Sequence, residues 1–153
     1  MKKFRYKMES VLQIKMKLED QAKLNYGNAR MRLTMEEEKL EQMILKKSGY
    51  EEELRGLRMN RLNLLDIRVC EQAIDTMKSN IKQQMIQVRN GEHRLEVARI
   101  RLNDAMVDRK THERLKEKAF EEYLLEFDSE ERKEVDELNS FNYNKPSFQE
   151  EEE

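Results

Sequence analysis

Proline is nearly missing from this 153-residue chain: its single copy, Pro146, lies close to the end, and only four glycines are spread through the rest. Nothing between residues 1 and 145 therefore forbids helix on backbone grounds. Tryptophan is absent and aromatic residues make up 7% of the chain, so a thick globular core has little to fill it. The lone cysteine, Cys70, excludes an internal disulfide and suits a reducing compartment. An excess of one charge is missing too. The 30 basic and 32 acidic residues leave a net charge of −2, which gives no global field to draw in nucleic acid or an anionic membrane. No apolar run approaches the ~18 residues of a membrane span. Met1-Lys2-Lys3 could open a signal peptide, but Phe4-Arg5-Tyr6-Lys7-Met8-Glu9 puts charges where an apolar stretch would have to follow. These absences predict a cytoplasmic protein with no nucleic-acid partner and no direct membrane insertion.

What remains is 41% charged and 37% apolar, dominated by Glu, Lys, Arg, Leu and Met, all good helix formers. In the first third, Phe4, Met8, Val11, Leu18, Ala22, Ala29, Leu33, Leu40, Met43, Tyr50, Leu54 and Leu57 recur at spacings that place them on one helical seam. Lys15, Asn25, Glu36 and Lys47 interrupt it. The step from Ala29 to Leu33 predicts an extra four-residue spacing that locally relaxes supercoiling. The stretch from Gly56 offers the best turn: Gly56 suits a helix end, Asn60 tolerates a left-handed conformation, and Asn63 can cap a new helix with Asp66 in its first turn. The Asn90-Gly91 dipeptide is a rival turn, but Val88, Leu95, Ala98 and Leu102 carry one seam through it, so Gly91 reads as a helix glycine. The second seam runs Ile67, Cys70, Ile74, Met77, Ile81, Met85, Val88, Leu95, Ala98, Leu102 and Ala105, then shifts to Leu115, Ala119, Tyr123 and Phe127.

The expected fold is all-α: a long two-helix antiparallel coiled-coil hairpin over residues 1–138, with helix one at about 4–57, a turn at about 58–64 and a longer helix two at about 65–138. Residues 139–153 are expected to form a disordered acidic tail. At 1.5 Å per residue the helices would measure roughly 80 and 110 Å, which leaves about 20 residues of helix two beyond Phe4. Tyr123, Leu124, Leu125 and Phe127 would then have no intramolecular helix to cover them, a pattern that marks a binding surface.

Catalysis needs groups converging in a cleft, which a two-helix seam does not supply, so no enzyme is expected. No cofactor or metal is expected either. His93 and His112 are 19 positions apart, about five helical turns, and read as solvated surface residues. Cys70 reads as seam packing. The glycines are isolated in charged helical sequence and form no phosphate loop. The basic residues Arg94, Arg99, Arg101, Arg109, Lys110, Arg114, Lys116 and Lys118 are interleaved with Glu92, Glu96, Asp104, Asp108, Glu113 and Glu117, which reads as a salt-bridged face. Met8, Met16, Met31, Met35, Met43, Met59, Met77, Met85 and Met106 read as flexible filler for a narrow seam, or as adaptable contact residues.

The opening Phe4-Arg5-Tyr6-Lys7-Met8-Glu9-Ser10-Val11-Leu12, with Ile14-Lys15, Glu19 and Ala22 after it, resembles the start of the flagellar FliJ family. Arg109-Lys110, Glu113, Leu115-Lys116-Glu117-Lys118, Glu121-Glu122-Tyr123 and Glu131-Arg132-Lys133-Glu134-Val135-Asp136-Glu137 are similar to that family's C-terminal pattern. Ile67-Arg68-Val69-Cys70-Glu71-Gln72-Ala73-Ile74 matches the opening of its second helix in layout. The resemblance implies a stalk-like coiled coil of flagellar type III export. Its partners would be the hexameric export ATPase, the cytoplasmic linker of the membrane export gate, and export chaperones. It implies ATPase contacts at Phe4, Arg5, Tyr6 and Val11, with Lys116, Lys118, Tyr123, Arg132 and Lys133. It implies gate contacts at Met43, Tyr50, Ala73, Met77 and Asn80, where only Tyr50 keeps the aromatic character of the family's patch. Such a protein would sit peripherally at the inner face of the membrane, at the flagellar basal body, and a monomer is expected. A generic coiled-coil scaffold or homodimeric spacer is the alternative.

Overall fold

The computed structural model describes residues 2–59 and 63–144. These form two helices, α1 (Glu9–Met59) and the longer α2 (Leu64–Tyr143), packed against each other, with no strand among the described residues. Helix α1 starts five residues later than expected. Its entry is fixed by a backbone bond from Glu9 N to the Tyr6 carbonyl at 3.2 Å, and the Leu12 N–H then reaches the Met8 carbonyl at 3.0 Å. Residues 2–6 are not helical. Glu9 suits the positive end of the α1 dipole and Arg58 its negative end. Residues 60–62 of the expected turn lie outside the described residues, but its exit is defined: Asn63 Oδ1 accepts the Leu65 N–H at 3.1 Å and the Asp66 N–H at 3.5 Å, the cap expected there. Helix α2 continues to Tyr143, so residues 139–143 are helical where a tail was expected, and residues 145–153 lie outside the described set.

The chain divides into two compact units, Lys17–Val107 and Met1–Met16 with Asp108–Glu153. Within Lys17–Val107 the helices run antiparallel. Tyr50 meets Cys70, Glu36 meets Gln84 and Leu33 meets Gly91. The seam of α1 in this unit runs through Glu19, Ala22, Tyr26, Ala29, Leu33, Glu36, Leu40, Met43, Lys47, Tyr50, Leu54 and Leu57, an unbroken alternation of three and four, with Glu51 half-buried beside Tyr50. The extra spacing expected at Ala29 to Leu33 is therefore absent. Glu19 is buried (4% exposed) and Tyr26 half-buried, whereas Leu18 and Asn25 face solvent. On α2 the covered position is Gln84 (7% exposed), not Met85.

The polar seam residues are partnered. Gln84 Nε2 donates to the Glu36 carbonyl at 2.9 Å and also to the Glu36 carboxylate. Lys23 reaches Glu19 at 3.3 Å. Cys70, buried as expected, donates its thiol to the Tyr50 carbonyl at 3.2 Å. Desolvation, with Glu53 and Glu71 nearby, pushes that thiol above its usual pKa. Gly91 is buried against Leu33: an added Cβ would stand 3.2 Å from Leu33 Cδ1. Of the methionines read as filler, Met43, Met77 and Met106 are half-buried, and Met8, Met16, Met31, Met35, Met59 and Met85 are exposed.

In the second unit the covered side of α2 runs through Arg109, His112, Lys116, Ala119, Tyr123 and Phe127. It keeps the same alternation until the last step, so the expected shift to Leu115 does not occur, and Leu115 is exposed. His112 is half-buried rather than solvated, with Nε2 3.7 Å from Asp108 Oδ1, while His93 is exposed. The α1 residues of this unit bind α2 by charge: Lys15 to Asp108 and Glu9 to Lys116, both at 2.8 Å. Each carboxyl sits below its ordinary pKa, Asp108 because of its hydrogen bond to Lys15 and Glu9 because of those to Lys116 and Gln13.

Candidate partner-binding surfaces

The non-helical residues 2–6 fold onto α2 in a way the seam alone did not reveal. Phe4 meets Phe120 edge-on at 5.1 Å between ring centroids and Tyr123 at 5.4 Å, while Tyr123 lies 6.2 Å from Phe120 and 6.3 Å from Phe127. These spacings are those of mutually attractive ring pairs. The Tyr123 hydroxyl donates to the Lys2 carbonyl at 2.9 Å, joining residues 121 positions apart. Tyr123 is therefore covered from within the chain. The expectation that it stands bare holds instead for Leu124 and Leu125, the latter 70% exposed. Phe120, which the seam reading passed over, completes the aromatic face. Its signal is the Phe120, Tyr123, Phe127 spacing of one helix side.

Of the nine residues tied by resemblance to ATPase binding, Phe4, Arg5, Tyr6 and Tyr123 line one groove of about 580 Å3, together with Lys2, Lys3, Lys7, Ala119, Glu122 and Glu126. Lys116 is held by Glu9. Val11 is half-buried in the first turns of α1, and Lys118 is exposed. Arg132 and Lys133 are exposed nine and ten residues past Tyr123, outside the groove. Beyond Phe127 every described residue is exposed, including Val135, Leu138 and Phe141.

Among the residues tied to the gate, Tyr50 and Ala73 line a groove of about 370 Å3 with Cys70, Val69 and Leu57. Met43 and Met77 are half-buried at seam positions, and Asn80 is exposed. Packing in the seam accounts for the placement of Met43, Tyr50 and Met77. Among the described residues no group of His, Cys, Asp and Glu is arranged to hold a metal, and no helix is long and apolar enough to cross a membrane.

The family profile described as flagellar FliJ protein matches residues 4–147 of this chain. A solved structure described as a candidate YscO homolog from Chlamydia trachomatis is similar over 92% of this chain and 96% of its own, with a TM-score of 0.78 and 24% sequence identity, a likeness of fold. No curated protein sequence matches the chain.

Proposed function

Because the chain belongs to the flagellar FliJ family, a family of non-catalytic components of type III protein export, we propose that it binds the hexameric export ATPase as a stalk-like subunit and couples it to the membrane export gate. The observation that carries the ATPase half is the joining of residues 2–7 to Ala119, Glu122 and Tyr123 in one groove rimmed by Lys2, Lys3, Arg5 and Lys7. Two distant stretches of family-like sequence thus present a single aromatic and cationic face. In this role Phe4, Tyr6 and Tyr123 shape the contact, Arg5, Lys116 and Lys118 supply charge, and Val11 supports the entry to α1. Arg132 and Lys133 extend the contact along α2.

The gate linker would bind near Tyr50 and Ala73, with Met43, Met77 and Asn80 contributing from the same pair of helices. Export chaperones form a third class of partner. The protein acts as a monomer in the cytoplasm, peripherally attached at the inner face of the membrane at the basal body through its partners. The test is turnover of the export ATPase of the same cell at increasing amounts of the full chain. Turnover rises, and the rise is lost on deletion from Tyr123 onward. Unchanged turnover with the intact chain removes the ATPase reading. Sedimentation separates the 18.6 kDa monomer from a homodimeric spacer.

A further inference from the structure

Between α1 and α2 in the Lys17–Val107 unit runs a trough of about 530 Å3. Ala22 and Ala29 of α1 and Ala98 and Ala105 of α2 form its floor, because a methyl group at a seam position leaves unfilled the space a leucine would take. Leu18 and Val97 widen the apolar surface. From Leu18 to Ala29 the trough follows α1 for about 16 Å, three helical turns, a length that suits an extended occupant better than a compact one.

The two rims differ in charge. On the α1 side Gln21 and Asn25 are hydrogen-bonded to each other at 3.1 Å and are neutral. On the α2 side stand Arg94 and Arg101, about 10 Å apart along the helix, with His93 beside them. Arg99 and Arg109 are paired with Glu96 and Glu113, whereas among the described residues neither Arg94 nor Arg101 has a carboxylate partner. Local sequence explains the difference. The positions three and four from Arg94 hold Asn90, Gly91, Val97 and Ala98, and Arg101 has only Asp104 within that reach. No acidic residue lines the trough.

We infer that this trough docks an amphipathic helix of a partner protein, one carrying carboxylates at i and i+7 along one flank of its apolar face. The apolar stripe fills the alanine floor, and the two carboxylates, two turns apart, meet Arg94 and Arg101 in charge-assisted pairs. The opposite flank of the ligand carries no charge, because Gln21 and Asn25 satisfy one another. The site shares no residue with the ATPase and gate surfaces proposed above and does not rest on them.

Two labelled helical peptides with the same Leu/Ala stripe test this on the full chain, one with Glu at i and i+7 and one with Lys there, read by fluorescence anisotropy. The Glu peptide binds at least ten-fold more tightly than the Lys peptide. The Arg94→Glu, Arg101→Glu double variant reverses that preference while keeping the wild-type circular dichroism. Equal binding of both peptides, no binding of either, or a double variant that still prefers Glu overturns the proposal. Sedimentation of the full chain without peptide covers the other occupant: self-association abolished by the double variant would make a second copy the ligand and overturn the assignment to a partner protein.

Discussion

Gly91 gives the sharpest quantitative test of how the two helices meet. Alanine exceeds glycine in a helix interior by about 0.8–1 kcal/mol, so Gly27→Ala and Gly49→Ala, whose added Cβ would meet nothing within 4 Å, each stabilise the chain by about that amount. At Gly91 the same methyl would stand 3.2 Å from Leu33 Cδ1 and 3.7 Å from Leu33 Cα. Leu33 is itself buried, so it gives way only by leaving its preferred position. Gly91→Ala therefore recovers less than about half of the propensity gain. Gly91→Leu, which drives a full side chain into Leu33, destabilises by about 1–3 kcal/mol from overpacking. Urea titration followed by far-ultraviolet circular dichroism measures all four variants against wild type. Gly91→Ala stabilising as much as Gly49→Ala, together with a tolerated Gly91→Leu, would refute contact between α1 and α2 at this layer.

Gln84→Ala removes both hydrogen bonds that the buried amide donates to Glu36 and costs about 0.5–1.5 kcal/mol in the same titration; a change below a few tenths would show that this pair contributes nothing. Acid weakens the Met1–Met16 and Asp108–Glu153 unit: the folded pKa values of Glu9 and Asp108 are depressed, so their contribution is complete above the ordinary carboxylate range and is lost as pH falls below that range through the lowered folded values. The Glu9→Gln, Asp108→Asn double variant has a shallower acid-side fall in melting temperature, and an unchanged profile contradicts the ion pairs. Tyr123→Phe removes the hydroxyl that reaches Lys2 and keeps the ring contacts, so it speeds amide exchange at residues 2–6 while melting shifts little; unaltered exchange would count against the bond.

Much of the fold was legible because helix formation here is a matter of composition and period. With no proline before Pro146 and leucines recurring at three and four, α1, α2 and the Asn63 cap followed directly. The phase of the seam was harder. Choosing the apolar neighbour at each step favoured Leu18 over Glu19, Met85 over Gln84 and Leu115 over Lys116. Each polar residue occupies the seam because a partner satisfies it or its stem packs while its head reaches out. Partners across the seam are tertiary facts, so no local pattern announces them. The aromatic site was legible in part for the same reason. Tyr123 and Phe127 were visible as a helix face, but the fold of residues 2–6 onto Phe120 depends on contacts 116 and more positions away. Arg94 and Arg101 read in the sequence as members of a salt-bridged face, yet among the described residues only neighbours such as Arg99 and Arg109 hold carboxylates.

In the proposed role, residues 2–7 and the Tyr123 side of α2 act as one surface for the export ATPase. Calorimetric titration of that ATPase with wild type, Phe4→Ala, Arg5→Ala and a remote control, Met31→Ala, tests it most directly. Phe4→Ala and Arg5→Ala bind at least ten-fold more weakly than wild type, and Met31→Ala matches it. Full affinity in both groove variants would contradict the claim.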